Sequence, residues 1–296
     1  MEWQGNTDGT PWMHRALIAV LRYMGLRPLY AVMAVFVVPF YIVLRRKAFM
    51  AIFHYMRRRQ GFGWWRSLRM SCLNHYRFGQ VVIDRFAMFA GIEFQLDRVN
   101  NELFVELSQR DEGFVILSCH AGNYELAGYT FTVTDKPYNA LVYGGETQTV
   151  MENRRRIFAR HNINMIPTSA DMSHIFAMNN ALAEGQIVSI AADRNFGSPR
   201  TVDCQLLGAK ARLPLGPFAL ATQRDAKAIA IFVMKEAAYR YTVYVRQLET
   251  DPRLKRNEHA AALAQSFATE LETILRKYPE QWYNYYEFWD DIEVKE

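Results

Sequence analysis

Residues 118–125 read Ser-Cys-His-Ala-Gly-Asn-Tyr-Glu, directly after the apolar run Gly-Phe-Val-Ile-Leu at 113–117. Packing a strand end requires neither a histidine nor a glutamate. An imidazole serves as general base near neutral pH when its tautomer is fixed and its basicity kept up, and a carboxylate on the far nitrogen does both. Glu125 is placed for that work, five positions after His120. On one continuous helix that spacing would leave the two about 140° apart, from ~100° of rotation per residue. They meet only if His120 lies on the loop before the helix, and Gly122 makes a sharp turn there feasible. A helix N-terminus favours an ionised Glu125 and supplies free N–H groups that could hold an oxyanion. Such a pair needs no protein nucleophile: His120 takes the proton of a substrate hydroxyl while that hydroxyl attacks an activated acyl carbon. The bland reading is equally compatible with the spacing, a loop histidine and a glutamate that satisfy each other. Two ligands fall short of a zinc site, so no metal is expected. Cys119, adjacent to His120, points to the opposite face.

The elements that must position this stretch alternate. Continuous apolar runs of strand length occur at 114–119, 139–143 and 187–192, as expected of strands covered on both faces. Residues 149–162 and 171–185 between them read as amphipathic helices, the second ending at Gly185. Residues 227–234 form another buried run, and 239–248 alternate as an antiparallel neighbour would. A long helix over 257–278 is stopped by Pro279. The pattern predicts an α/β fold, a central mixed sheet flanked by helices. In such a sheet, ligands bind at the carboxyl ends of the strands, where His120 stands.

The first hundred residues are helical and basic in character. A helix is expected from Pro11 to Gly25. Residues 29–44 hold sixteen amino acids without a charge and end in Arg45-Arg46-Lys47. This is marginal against the roughly 20 residues that cross a bilayer, and Pro39 should kink it. It reads as a short or partly inserted membrane helix, with a buried core helix as the alternative. Residues 48–65 mix large apolar side chains with Arg57-Arg58-Arg59 and two tryptophans, the composition of a helix at a bilayer interface. These features divide the chain into a membrane-associated helical region, 1–69, and a domain over 70–296.

At 296 residues with 50% hydrophobic content, the chain can bury a large core and is not disordered. A formal charge of +5 and a pI near 9.0 favour an anionic partner. The arginines cluster beside apolar sequence rather than in a nucleic-acid motif, so an anionic membrane surface or an acidic carrier protein is expected and nucleic acid is not. Three scattered cysteines, Cys72, Cys119 and Cys204, fit a reducing compartment.

The string His-Ala-Gly-Asn-Tyr-Glu at 120–125 resembles the His-x4-Asp/Glu motif of the lipid A secondary (lauroyl/myristoyl) acyltransferases, a branch of the lysophospholipid acyltransferases. Three further stretches fall in that family's order: 74–86, the strand-Asp-glycine-loop block at 189–197, and the Pro-Glu-Gln-Trp block at 278–289. The resemblance implies a glycerolipid-acyltransferase-like fold at the cytoplasmic face of a bacterial inner membrane. It implies transfer of an acyl chain from acyl carrier protein to a hydroxyl of a lipid A precursor or related glycolipid, with no cofactor. By the same resemblance His120 is the base and Glu125 its orienting partner, while Asn123, one arginine of the Glu-Asn-Arg-Arg-Arg run at 152–156 (taken as Arg156), Asp193 and Arg194 are substrate-binding positions. Two departures bear on the acceptor. Where the family continues into a Trp-x-His-Arg-Arg-like basic string, residues 284–291 end acidic, and 213–221 carry two prolines. An aminolipid, a lysophospholipid or a polyene pigment is the alternative acceptor, and a non-catalytic membrane-peripheral protein is the alternative of another class.

Overall fold

The computed structural model describes residues 11–126, 136–145, 148–160, 162–169, 171–195, 200–223, 226–251 and 253–289. Among them is a seven-stranded mixed sheet flanked by helices, as the alternation of apolar runs predicts. The strands are β1 (Gln95–Val99), β2 (Phe114–Ser118), β3 (Tyr138–Val142), β4 (Ile163–Pro167), β5 (Ile187–Ala191), β8 (Lys227–Ala237) and β9 (Arg240–Gln247), in the order β1-β9-β8-β2-β5-β3-β4. β2 is central and parallel to both β5 and β8, and β8 pairs antiparallel with β9. Every residue of β2 is buried, so its apolar run serves two faces. Phe114 and Ile116 join one core with Phe104 and Phe158, while Val115 and Leu117 join another with Phe232 and Phe267.

A separate hairpin, β6 (Thr201–Leu206) and β7 (Ala209–Pro214), turns through Leu207 and Gly208, both at positive φ. Exposed and buried residues alternate through β6 and through β7 as far as Leu213, the half-buried strand pattern. It was not anticipated from the sequence, nor were β1 and β4.

The N-terminal helices are α1 (Pro11–Met24), α2 (Leu26–Leu44), α3 (Arg46–His54, continued as a π turn Tyr55–Arg59) and α4 (Trp64–Phe89). Within α2 a π turn, Met33–Val37, precedes Pro39 and takes up the backbone disruption expected there. Two expectations are corrected. The run 48–65 is not one surface helix, because it breaks at residues 61–63 and buries Ile52, Tyr55 and Met56 in the main core. The boundary expected at 69/70 falls inside α4, whose buried face also packs α1 and α2 through Ile83, Phe86 and Ala87.

A buried ionic knot joins α2, α4 and the sheet. Lys235 Nζ donates to Asp84 Oδ2 at 2.5 Å, with both side chains fully buried. The hydroxyls of Tyr30 and Tyr241 also donate to the Asp84 carboxylate. A buried pair of this kind adds little by itself, but removing one partner strands the other charge in the core. Lys235→Met is expected to cost about 3–5 kcal/mol of stability, and adding Asp84→Leu should recover most of it, both read by denaturant unfolding.

Candidate active site

β2 and β5 run in register, Ser118 against Ala191, and the ladder extends one residue further through Ala192 N–H to Ser118 O at 2.8 Å. His120 and Asp193 therefore stand at equal overhang beyond two adjacent parallel strands. His120 Nδ1 lies 2.7 Å from Asp193 Oδ1, and the His120 backbone N–H donates to Oδ2 at 3.0 Å. With Nδ1 carrying the proton toward the carboxylate, Nε2 is the basic nitrogen. Among the described residues nothing hydrogen-bonds Nε2, and the side chain keeps 17% of its surface exposed.

The turn after His120 is held on two sides. Gly122 donates its N–H to Gln281 O at 2.8 Å, and Asn123 donates to Val233 O at 2.7 Å. Gly122 has φ +58, and a Cβ there would meet Val233 O at 2.0 Å. The glycine thus serves the turn the sequence predicts, but the constraint is backbone of β8 crossing directly over it. The Gln281 amide docks on Lys235, accepting from its N–H at 2.8 Å and donating to its C=O at 2.9 Å.

Asp193 is completely buried and accepts two more hydrogen bonds at Oδ2, from Trp282 Nε1 at 3.2 Å and Asn284 Nδ2 at 3.1 Å. Burial alone would raise its pKa, but the neighbouring His120 and the donors hold it at about 2. The imidazole moves down as well: burial and the Arg194 cation lower its pKa, against the pull of Asp193. His120 is therefore neutral at pH 7, as a base requires.

Glu125 does not orient His120. Its Oε1 accepts from Arg154 at 2.7 Å and Arg85 at 3.1 Å, and its Oε2 is buried without a hydrogen-bond partner among the described residues. Burial would raise its pKa, but the two guanidiniums bring it below the usual carboxylate value. The five-residue spacing is consumed by the turn, and the Nδ1 partner arrives from β5 instead. The cluster stays close to the dyad, because Tyr124, whose ring centre is 5.1 Å from that of His120, precedes Glu125.

The other expected site residues divide. Asn123 is not open to substrate: it is 1% exposed, its Oδ1 accepts from Leu126 N–H at 3.3 Å and its Nδ2 donates to Tyr241 at 3.4 Å. Arg156 is exposed on helix α5 (Gln148–Arg160), whereas Arg154 is the arginine that turns inward. The signal was present, because Val150, Arg154 and Phe158, at i, i+4 and i+8, form the buried stripe of α5. Arg194 belongs to the site, but its Nε donates to Asn284 Oδ1 at 2.7 Å and a terminal nitrogen donates to Tyr283 O at 2.8 Å. Arg85, Trp282 and Asn284 were not foreseen as site residues, although two of them lie in the quoted Pro-Glu-Gln-Trp block. The glycine loop expected after Asp193 (196–199) and the acidic end (290–296) lie outside the described residues. Among the described residues no cluster of His, Cys, Asp and Glu could hold a metal.

Among solved structures, the 1-acyl-sn-glycerophosphate (LPA) acyltransferase PlsC from Thermotoga maritima aligns with 92% of this chain and 99% of its own, at 12% identity and a TM-score of 0.40. No curated protein sequence matches this chain significantly. A family model described as bacterial lipid A biosynthesis acyltransferase matches residues 85–289, a span that holds His120, Asp193, Glu125 and the whole C-terminal block, and the chain belongs to that acyltransferase family.

Proposed function

We propose that this acyltransferase moves a fatty acyl chain from acyl carrier protein to a hydroxyl of a lipid A precursor or related glycolipid, at the cytoplasmic face of a bacterial inner membrane. The observation that carries the mechanism is the neutral His120, with Nδ1 on a buried carboxylate and Nε2 without a hydrogen bond among the described residues. Nε2 takes the acceptor hydroxyl's proton as its oxygen attacks the thioester carbonyl. The tetrahedral oxyanion collapses with loss of the carrier thiolate, and the imidazolium returns the proton to sulfur. A C–O bond replaces the C–S bond, and no other reactant is needed.

Arg85 and Arg154, both ion-paired to Glu125, set two guanidiniums beside the dyad, the group that pairs with an anionic headgroup. The membrane reading draws support from α2, which is 19 residues long, with a mean hydropathy of 1.9 and only 22% of its most apolar window buried. Val35, Phe36, Phe40 and Val43 are all more than half exposed on it. The positive surface suits an acidic carrier.

Three outcomes are expected. His120→Ala should lower turnover by about 10²–10⁴ with a lauroyl carrier-protein donor and a lipid A precursor acceptor. Full transfer by that variant would reject the base, and full activity on another lipid only would move the acceptor. The pH profile separates the two carboxylates. Because the His120 pKa is lowered in the fold, kcat/KM should stay level down through about pH 6.5 and fall below it. Glu125→Gln should reduce the rate without moving that acid limb, while Asp193→Asn should remove most of the activity. Finally, the combined change V35S/F36S/F40S/V43S should release the protein from sedimented membranes, and retention would overturn the assignment of α2 to the bilayer.

A further inference from the structure

Asn284 sits where the C-terminal block leaves the family's basic string, and nothing in its sequence context marks it for chemistry. It is 3% exposed, and both ends of its amide are used. Nδ2 donates to Asp193 Oδ2 at 3.1 Å, and Oδ1 accepts from Arg194 Nε at 2.7 Å. These two partners leave the amide one orientation. A guanidinium can only donate and an ionised carboxylate can only accept, so the carbonyl must face Arg194 and the NH2 must face Asp193. Arg194 is itself anchored to Tyr283 O, and Tyr283 N–H donates to His120 O at 2.9 Å. The loop is closed: His120, Asp193, Asn284, Arg194 and Tyr283 each hold the next.

The consequence falls on the carboxylate plane. Among the described residues, Oδ1 of Asp193 serves only His120 Nδ1, and Oδ2 takes three donors, the His120 backbone, Trp282 and Asn284. Three donors converging on one oxygen prevent the carboxylate from rotating, and that fixes Oδ1 on Nδ1. We propose that Asn284 is a positioning residue for the His120–Asp193 dyad, oriented for that task by Arg194. This rests on the reading of His120 as the base.

The charged groups around His120 are Asp193 and Arg194, with the Glu125–Arg85–Arg154 cluster acting on Tyr124. The nearby hydroxyls of Tyr124, Tyr285 and Tyr286 are pushed above their ordinary values and do not titrate near neutrality. A second carboxylate at position 284 would therefore be felt mainly by Asp193 and His120.

The test uses the full chain in detergent micelles with 15N-labelled histidine, the His120 signals being assigned by their loss in His120→Ala. Asn284→Asp, nearly isosteric, should raise the His120 titration midpoint by about one pH unit or more, because a like charge beside Asp193 favours the imidazolium. Asn284→Leu should speed exchange of the Nδ1 proton with water at least tenfold. It should also lower kcat about tenfold with the same lauroyl donor, while the donor KM stays within about twofold, the loss of one hydrogen bond to a charged group. Wild-type titration, exchange and kcat in both variants would overturn the proposal, and Asn284→Asp keeps it testable if the leucine variant does not fold. If His120→Ala keeps full turnover while the Asn284 variants still move the His120 signals, the positioning stands and the base assignment falls.

Discussion

A carboxylate with no exposed surface must be matched donor for donor, and among the described residues Asp193 is matched by four: two from His120, one from Trp282 and one from Asn284. Each donor comes from a segment that must be in place for the bond to form. His120 requires β2 and β5 to pair in register, and Trp282 and Asn284 require the chain beyond the last long helix to return across the strand ends. The Pro-Glu-Gln-Trp block does this by backbone as much as by side chain, since Gln281 O and Tyr283 N–H clasp the His120 turn on either side. The site is a small polar network buried at the carboxyl edge of an apolar sheet, and its satisfaction ties the central strand β2 to the segment that follows the last long helix.

The same logic explains why the N-terminal helices are not an appendage. Tyr30 on α2 and Asp84 on α4 meet Lys235 on β8 in a second buried network, and Tyr241 bridges from there to Asn123 beside the His120 turn. α2 thus presents one side to the sheet and leaves the other, rich in valine and phenylalanine, uncovered. A chain built this way couples the exposed apolar helix to the strand ends through fully satisfied polar contacts, which suits an enzyme whose acceptor is a lipid.

Much of the fold was legible because its signals are local. Buried strands announce themselves as continuous apolar runs, and β2, β3, β5 and β8 all did. The π turn before Pro39 and the stop at Pro279 follow from a missing N–H. The hairpin β6–β7 alternates as a half-buried pair should, but its apolar positions are small or interleaved with charge, so its local signal is weak. Arg154 was obscured by its neighbours Arg155 and Arg156, and only the spacing to Val150 and Phe158 separates the inward residue from the outward ones.

What the sequence determined by itself is the histidine at a strand end, the glycine that lets the chain turn there, the mixed α/β layering and the family. Each follows from residue type, period or a string of neighbours. What only the tertiary structure decided is which carboxylate holds that histidine. Glu125 is close in sequence, but the turn at Gly122 carries it to Arg85 and Arg154, while Asp193, 73 positions away, arrives through the pairing of two parallel strands. Strand register is a long-range property with no local signature. The identity of the dyad, and the part Asn284 plays in it, could therefore be read only once the sheet was assembled.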